Sequence, residues 1–538
     1  MKVVILGGYG VFGSLLAELL IRDGHQVWLA GRSLDKAQAA AQRLGAAALY
    51  CDRDGDLSTL FAPEPDVLID AAGPFQDYGA DPYRIAYACL AAGCNYADLS
   101  DAAGFTAGIS ALDDDARKAG LWVLSGASSV PGLSSSVVAA LASDGGAVEL
   151  IESAILPGNR APRGLAVMAS ILGGVGRPLK LWRGGRWRQG RGWTERRSYD
   201  LAPGLSRAGY FVDVPDLTLF PEHFRARTVV FRAGLELGLM SRSLAALAGL
   251  RRWLDLPIGP RGVALLRWLS DFTYPLGTDR GGMIVRVLEQ TEQGHQEARW
   301  TLVAEEGEGP YIPGLVARTL CRHAAEITPG ARPCLAEVSL SQLEEAATDL
   351  AVTFHREDSA CPSLFQTAFG DDWPNLPTQT RALHRVQDVE SFSGTATVER
   401  GPSLPARLIG WFFNFPDAGT DVPVTVTKSR TSKGEIWRRD FDGRRFRSFC
   451  SKGPEPKTFL ERFWWLTFEV DLSVRDQAVE MPVRRGWFLG LPIPRALLPS
   501  SETREYVQDG RFHFDIGLAA PLGMGLIVRY RGHLSPDA

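Results

Sequence analysis

Two hydrophobic rhythms divide the chain. Up to about residue 135, short and nearly unbroken apolar runs alternate with amphipathic stretches. The runs are Val3-Val4-Ile5-Leu6, Gln26 to Ala30, Ala47 to Asp52, Asp66 to Ala72, Asn95 to Leu99 and Leu121 to Ser125. Runs of this length without polar alternation are expected of strands covered on both faces, as in a parallel sheet. Between them lie helical patterns at Ser14 to Asp23, Leu34 to Leu44, Pro82 to Ala92 and Ala107 to Ala119, and Gly93 and Gly120 close the last two. Glycine suits that place because it takes up the left-handed conformation that ends a helix. The alternation predicts a doubly wound α/β domain over residues 1–135.

From Val148 the rhythm loosens. Strand-like segments at Glu149 to Leu156, Gly209 to Val214, Thr228 to Ala233, Gly281 to Glu289 and Glu297 to Ala304 surround a helical stretch, Ser243 to Leu276. They predict an α+β domain over residues 136–345, with a helix near 310–325 that packs back on the first domain. Residues 335–362 read as a connection. From Ser363 apolar and polar residues alternate one by one, as in Val422 to Thr427, Glu469 to Val474 and Leu526 to Tyr530, the period of a strand with one buried face. Asp442-Gly443 and Asp509-Gly510 sit where hairpin turns are expected. Residues 363–538 are therefore predicted to form a mainly antiparallel β domain, with a helix at Pro405 to Phe413.

The first strand runs into Gly8-Tyr9-Gly10-Val11-Phe12-Gly13 and then a helix. Strand, glycine-rich turn and helix in that order form the phosphate-binding start of a dinucleotide-binding βαβ unit. Gly8 is expected to allow the sharp turn, Gly10 the close approach of a pyrophosphate, and Gly13 tight packing of helix on strand. At the end of the second strand, where an acidic residue would hold the ribose 2′-hydroxyl of NAD, stands Gly31-Arg32-Ser33. Arg32 and Ser33 suit a 2′-phosphate instead, which favours NADP(H) over NAD(H). Asp52, ending the third strand, is either an acceptor for the adenine amino group or an ordinary loop aspartate. Ala72, Gly73 and Pro74 follow the fourth strand, where small residues let a cofactor pass close to the backbone or simply close a loop.

Gly7 to Gly13, Ala71-Ala72-Gly73-Pro74-Phe75 with Tyr78-Gly79, Tyr96-Ala97-Asp98 and Ser129-Val130-Pro131-Gly132-Leu133 together resemble the saccharopine dehydrogenase-like oxidoreductases over residues 1–345. The resemblance implies a Rossmann domain, an inserted α+β domain for substrate binding and dimerisation, and NAD(P)-linked redox chemistry. Where many relatives read Tyr-x-Asp-x-x-Gly-Glu or a close variant, this chain has Asp98-Leu99-Ser100-Asp101, and no set of amino-acid-clamping arginines is assigned. Phe392-Ser393-Gly394, Trp437-Arg438-Arg439, Gly443-Arg444-Arg445-Phe446 and Tyr530-Arg531-Gly532 resemble a domain of unknown function, DUF4166. Hydride transfer needs no protein nucleophile, but a proton donor usually stands beside the reacting carbon. Tyr78 and Asp98 are the catalytic candidates, set against a strand-end cap for Asp98. In the third domain, Trp411-Phe412-Phe413 and Phe463-Trp464-Trp465 either line a cavity for an apolar ligand or form the domain's own core.

Composition narrows the partners. A net charge of -4 over 538 residues gives no basic footprint for nucleic acid. The 7 cysteines include no C-x-x-C pair and the 8 histidines no H-x-x-x-H pair, so no metal site or disulfide framework is expected. No export signal or transmembrane segment is read, since the most apolar later stretch is broken by charges and prolines. A cytoplasmic protein acting on a small molecule is expected, with homodimer formation and peripheral membrane contact left open. The first reading is an NADP-dependent oxidoreductase acting on an apolar substrate. The alternative is a non-catalytic dinucleotide-binding sensor or scaffold whose C-terminal domain binds lipid or a partner.

Overall fold

The structure, a computed structural model, describes residues 1–143, 146–162, 172–254, 262, 272–291 and 294–537. They form two compact units, one of residues 1–182, 187–290 and 297–359, the other of residues 183–186, 291–296 and 360–538.

The first unit holds a seven-stranded parallel sheet. β1 (Lys2–Leu6), β2 (Gln26–Gly31), β3 (Ala47–Tyr50), β4 (Val67–Asp70), β5 (Asn95–Asp98) and β6 (Trp122–Ser125) lie side by side as β6-β5-β4-β1-β2-β3. Val3, Val4, Ile5, Val67, Leu68 and Ile69 are all 0% exposed, so both faces are covered, as the unbroken apolar runs require. The order reverses between β1 and β4, the switch point at which such sheets bind ligands beyond their strand ends. α1 (Val11–Arg22) follows β1, and α2 (Leu34–Leu44) follows β2.

A seventh strand, Gly330–Pro333, pairs with β6. No apolar run announces it. Its place is fixed by what precedes it: helix Leu315–Arg322 packs on α1, where Arg318, 2% exposed at its side chain, bonds Asp23 at 2.7 Å and Asp349 at 2.6 Å. A mixed sheet completes this part of the chain, running Arg197–Ala202, Leu205–Phe211, Val229–Ala233, Ala147–Leu156, Gly281–Thr291, Gly294–Ala304, Val352–Ala360. Residues 335–362 are thus not a plain connection. They contain helix Leu340–Glu345, started by a Ser339/Gln342 capping box, and the last strand of this sheet. Of the predicted stretch Ser243 to Leu276, helix Gly238–Arg251 accounts for the start, while residues 255–261 and 263–271 lie outside the described residues.

The second unit is built on a thirteen-stranded sheet. Its strands pair antiparallel, as Val389–Glu399 does with Gly419–Thr431 and Ser500–Gln508 with Arg511–Ala519. Asp442 and Gly443 turn at φ 46 and 90, Asp509 and Gly510 at φ 51 and 72, the left-handed pair that a two-residue hairpin needs. The sheet curls until Trp437 and Phe468 of one half and Ile516 and Ile527 of the other line a single chamber of about 290 Å³. Helix Leu404–Phe412, capped by Ser403, lies on the strand Leu526–Pro536. Among the described residues no helix is long and apolar enough to cross a membrane, and all seven cysteines are free.

Candidate functional site

At the switch point the glycines divide their work differently from the expected assignment. The sharp turn belongs to Gly7, at φ +77, where a Cβ would stand 2.8 Å from the carbonyl carbon and oxygen of Ala71. Gly8 is needed for packing, since a Cβ there would lie 2.9 Å from Leu29 Cδ2 and from the Ile5 carbonyl oxygen. Gly13 is the tightest, with only 2.4 Å to the Gly7 oxygen. Gly10 differs from all three. It is the N-cap of α1 at φ -70 and ψ 170, and its Cβ would meet only the Gly7 oxygen at 3.1 Å. The backbone there faces open space, above a helix start that no side chain caps. First-turn N–H groups of Val11, Phe12 and Gly13 have no intrahelical acceptor, which is the arrangement that receives a phosphate.

The end of β2 is shaped by Tyr9. Its ring lies over Gly31, where a Cβ would come within 2.4 Å of Tyr9 Cε1, and its hydroxyl accepts from the Ser33 N–H at 3.3 Å. The Ser33 hydroxyl accepts from Lys36 N at 3.4 Å and so caps α2, leaving its own proton to donate. Arg32 is exposed. Asp52 Oδ1 accepts from the Asp54 N–H at 3.2 Å, which closes its own turn.

The loop after β4 is tied down by a residue that sequence reasoning passed over. Arg53 donates to the Ala72 carbonyl at 3.2 Å and to the Asp77 carbonyl at 3.3 Å, and its guanidinium lies 4.2 Å from the centroid of the Tyr78 ring. Tyr78 donates to Asp70 Oδ2 at 2.8 Å, while the Ala72 N–H donates to Asp70 Oδ1 at 2.9 Å. Asp70 is fully buried, and that burial pushes its carboxyl up to about 6. Burial first, and then the Asp70 charge, push the Tyr78 phenol well above its ordinary range. Its ring stacks on Phe75 and meets Phe105 edge-on.

Asp98 pairs in register with Asp70 on the neighbouring strand. Its Oδ1 accepts from the N–H groups of Ser100 and Gly126 and from the Ser125 hydroxyl, each at 2.9 Å. Oδ2 is buried without a partner, and burial pushes this carboxyl up to about 7. At 0% exposure, Asp98 stands inside the sheet end and holds the turn after β6. The expected proton donor is therefore placed where it touches other parts of the chain.

Beside the helix start lies a cavity of about 210 Å³, also missed from sequence. Phe12 and Ser129 form one side, while Pro157, Met283, Leu302 and Ile312 contribute to the other. Apart from Ser129 and Asp279, the side chains of its walls are apolar. Its lining comes from segments that span residues 12 to 313, so no local pattern marks it; the short Gly and Pro clusters at 157–158 and 309–313 are the faint signal.

Comparison with known proteins follows this division. Residues 3–124 match the family described as saccharopine dehydrogenase NADP binding domain, and residues 376–534 match the domain of unknown function DUF4166. The resemblance carried by the motifs is thus found in both parts of the chain. Among solved structures, apo histidine-tagged saccharopine dehydrogenase (L-Glu forming) from Saccharomyces cerevisiae is similar at 15% identity and a TM-score of 0.49, over 66% of this chain and 99% of that one. A probable dehydrogenase from Thermotoga maritima is similar at 11% identity and a TM-score of 0.32, over 66% and 98%. No curated protein matches the chain.

Proposed function

We propose that this protein is an NADP(H)-dependent oxidoreductase whose substrate presents an apolar group. The observation that carries the reading is the Gly10 cradle: open backbone at an uncapped helix start, with Arg32 exposed at the end of the next strand. These residues fit the dinucleotide named by the matched family. Gly8, Tyr9, Gly10, Val11, Phe12 and Gly13 would hold the pyrophosphate, and Arg32 with Ser33 the 2′-phosphate. Ala72, Gly73 and Pro74 would border the remainder, with Asp52 beside the adenine half. When bound, the cofactor supplies the hydride. Phe12 belongs both to the first turn of α1 and to the wall of the cavity beside it, so the cavity is the substrate side of this reading. Its apolar walls exclude water, and Ser129 and Asp279 are its polar side chains.

Tyr78 and Asp98 act in this reading as positioning residues. Tyr78, through Asp70, sets the Ala72 N–H and with it the loop after β4, while Asp98 sets the Gly126 turn. The burial of Asp98 and the engagement of the Tyr78 hydroxyl by Asp70 also favour the second reading, a nucleotide-binding sensor without turnover. A steady-state screen of carbonyl, imine and enoyl compounds with NADPH separates the two. Oxidation of NADPH that Gly10→Val abolishes supports the enzyme. Tight NADPH binding without oxidation of any class supports the sensor.

A further inference from the structure

The second unit exposes an unusual ring of large apolar side chains. Helix Leu404–Phe412 contributes Leu404, Leu408 and Trp411, which are 72%, 66% and 75% exposed. Phe412 meets Trp464 edge-on at 5.1 Å, and Trp464 meets Trp465 at 5.9 Å. The Leu489 N–H donates to the Trp465 carbonyl at 2.9 Å, which brings in the hairpin of Phe488, Leu489 and Leu491. That hairpin leads to the turn at Leu497, which abuts the turn at Leu522, and the Ser403 hydroxyl donates to the Met524 carbonyl. The ring closes on the helix where it began.

Two further observations say what this ring faces. Residues 404–413, 462–468, 486–499 and 520–526 hold no Asp or Glu, whereas Arg407, Arg462 and Arg495 stand exposed among them. Aromatic and aliphatic side chains ringed by arginine match a bilayer surface whose headgroups are anionic. The ring is also continuous with the chamber inside the curled sheet: Leu497 is 47% exposed and lines that chamber as well. Within the chamber Arg439 pairs with Glu461 at 3.1 Å and Glu505 is hydrogen-bonded to His384 at 2.7 Å, and the rest of the wall is apolar apart from Ser501, Thr503 and Tyr530.

We propose that the second unit docks on an anionic phospholipid bilayer through this ring, and that the chamber behind it takes up a single apolar chain. The inference is independent of the redox reading, since none of its residues lies in the first unit. The test uses the full chain with vesicles of phosphatidylcholine, alone or mixed with phosphatidylglycerol. Sedimentation with the mixed vesicles is expected, accompanied by a blue shift of tryptophan emission and weakened by salt. Trp411→Ser with Leu408→Ser should weaken binding at least about tenfold, and Arg407→Gln about fivefold. Both leave thermal unfolding unchanged, since the side chains are exposed. Uptake of cis-parinaric acid is expected in the wild type, and Ile516→Trp, which fills the chamber, should abolish it while sedimentation persists. Absence of sedimentation, or sedimentation indifferent to the ring variants, overturns the docking. A concentration-dependent dimer that the ring variants dissolve, with no vesicle binding, overturns it in favour of self-association. Sedimentation without probe uptake overturns the chamber's part.

Discussion

A single methyl group at Gly10 should separate folding from cofactor binding. In Gly10→Ala the new Cβ meets only the Gly7 oxygen at 3.1 Å, and φ -70 is open to any residue. The N-cap preference for Gly over Ala costs about 1 kcal/mol, and the lower entropy of the unfolded chain returns about 0.4–1 kcal/mol. Stability should therefore stay within about 1 kcal/mol of wild type, which is about 2–4 °C or less in Tm for domains of this size. Binding should respond differently. The methyl occupies the space into which the pyrophosphate must descend, lifting it from the first-turn N–H groups. Hydrogen bonds to a charged group contribute about 1.5–3 kcal/mol each, so losing two weakens NADPH by about 10²–10⁴-fold. Gly13→Ala is the contrasting control, because 2.4 Å to the Gly7 oxygen leaves no room for a Cβ, and it should unfold the first unit's parallel sheet. Calorimetric titration with NADPH beside a thermal scan reads both effects. A folded Gly10→Ala protein with wild-type NADPH affinity would refute the cradle.

Arg32→Asp replaces an exposed cation with a repelling charge and should move preference from NADP toward NAD by about 1.5–3 kcal/mol; equal NADP affinities for wild type and variant would place Arg32 outside the site. Asp98 and Asp216 are pushed up to about 7 and Asp70 to about 6, so between about pH 4 and 7 the folded state holds protons that the unfolded chain has released, and stability falls as pH rises through that window. Asp98→Asn should flatten that fall by a few kcal/mol in urea unfolding at pH 5 and pH 8, and an unchanged difference between the two pH values would contradict the buried carboxyl. Glu152 and Asp23 act in the opposite sense, because their depressed values give stability that is lost as pH falls below the ordinary carboxylate range. Arg318→Met leaves Asp349 with Arg22 alone and Asp23 with Arg322 alone, and should cost about 3 kcal/mol; a loss under about 1 kcal/mol would show that the helix Leu315–Arg322 is held on α1 by apolar packing instead.

What could be read from sequence was what local pattern encodes. The parallel strands declared themselves because both their faces are buried, and the two Asp-Gly hairpins because few other residue pairs accept two successive left-handed positions. The phosphate loop was recognisable, yet the role given to Gly8 belonged to Gly7: a motif records which residues lack a Cβ, and only the neighbours show whether φ or packing demands it. The seventh parallel strand, Gly330–Pro333, could not be seen because four residues at a sheet edge need no apolar alternation. The strand Val352–Ala360 was hidden by the polar run His355, Arg356, Glu357 and Asp358, which suits the exposed outer edge it occupies. Ser339 and Gln342, by contrast, were a visible helix start within a stretch read as connection. Arg53 had no motif to mark it, since its partners are carbonyls of a loop 19 and 24 residues further on.

The aromatic clusters of the second unit show a deeper limit of pattern reading. Core and cavity were the two sequence alternatives, and the structure divides the residues between a cavity wall and a third place. Phe413 and Phe463 line the chamber and, with Phe412 and Trp464, a more open groove beside it, while Trp411 and Trp465 face outward. Helix Leu404–Phe412 explains why the pattern was ambiguous, for it is apolar on two sides. Ala406 and Gly410 are buried and Ile409 lines the chamber, whereas Leu404, Leu408 and Trp411, spaced four and three residues apart, point away. Such spacing normally marks the face a helix buries. Here the buried face is already supplied by the other set, so the outward stripe has no role in this unit's own core. A helix apolar on both sides suits a second apolar environment, and in the docking proposed above Arg407, Arg462 and Arg495 favour an anionic one. That arrangement, rather than the number of aromatic residues, distinguishes a membrane-facing ring from a core.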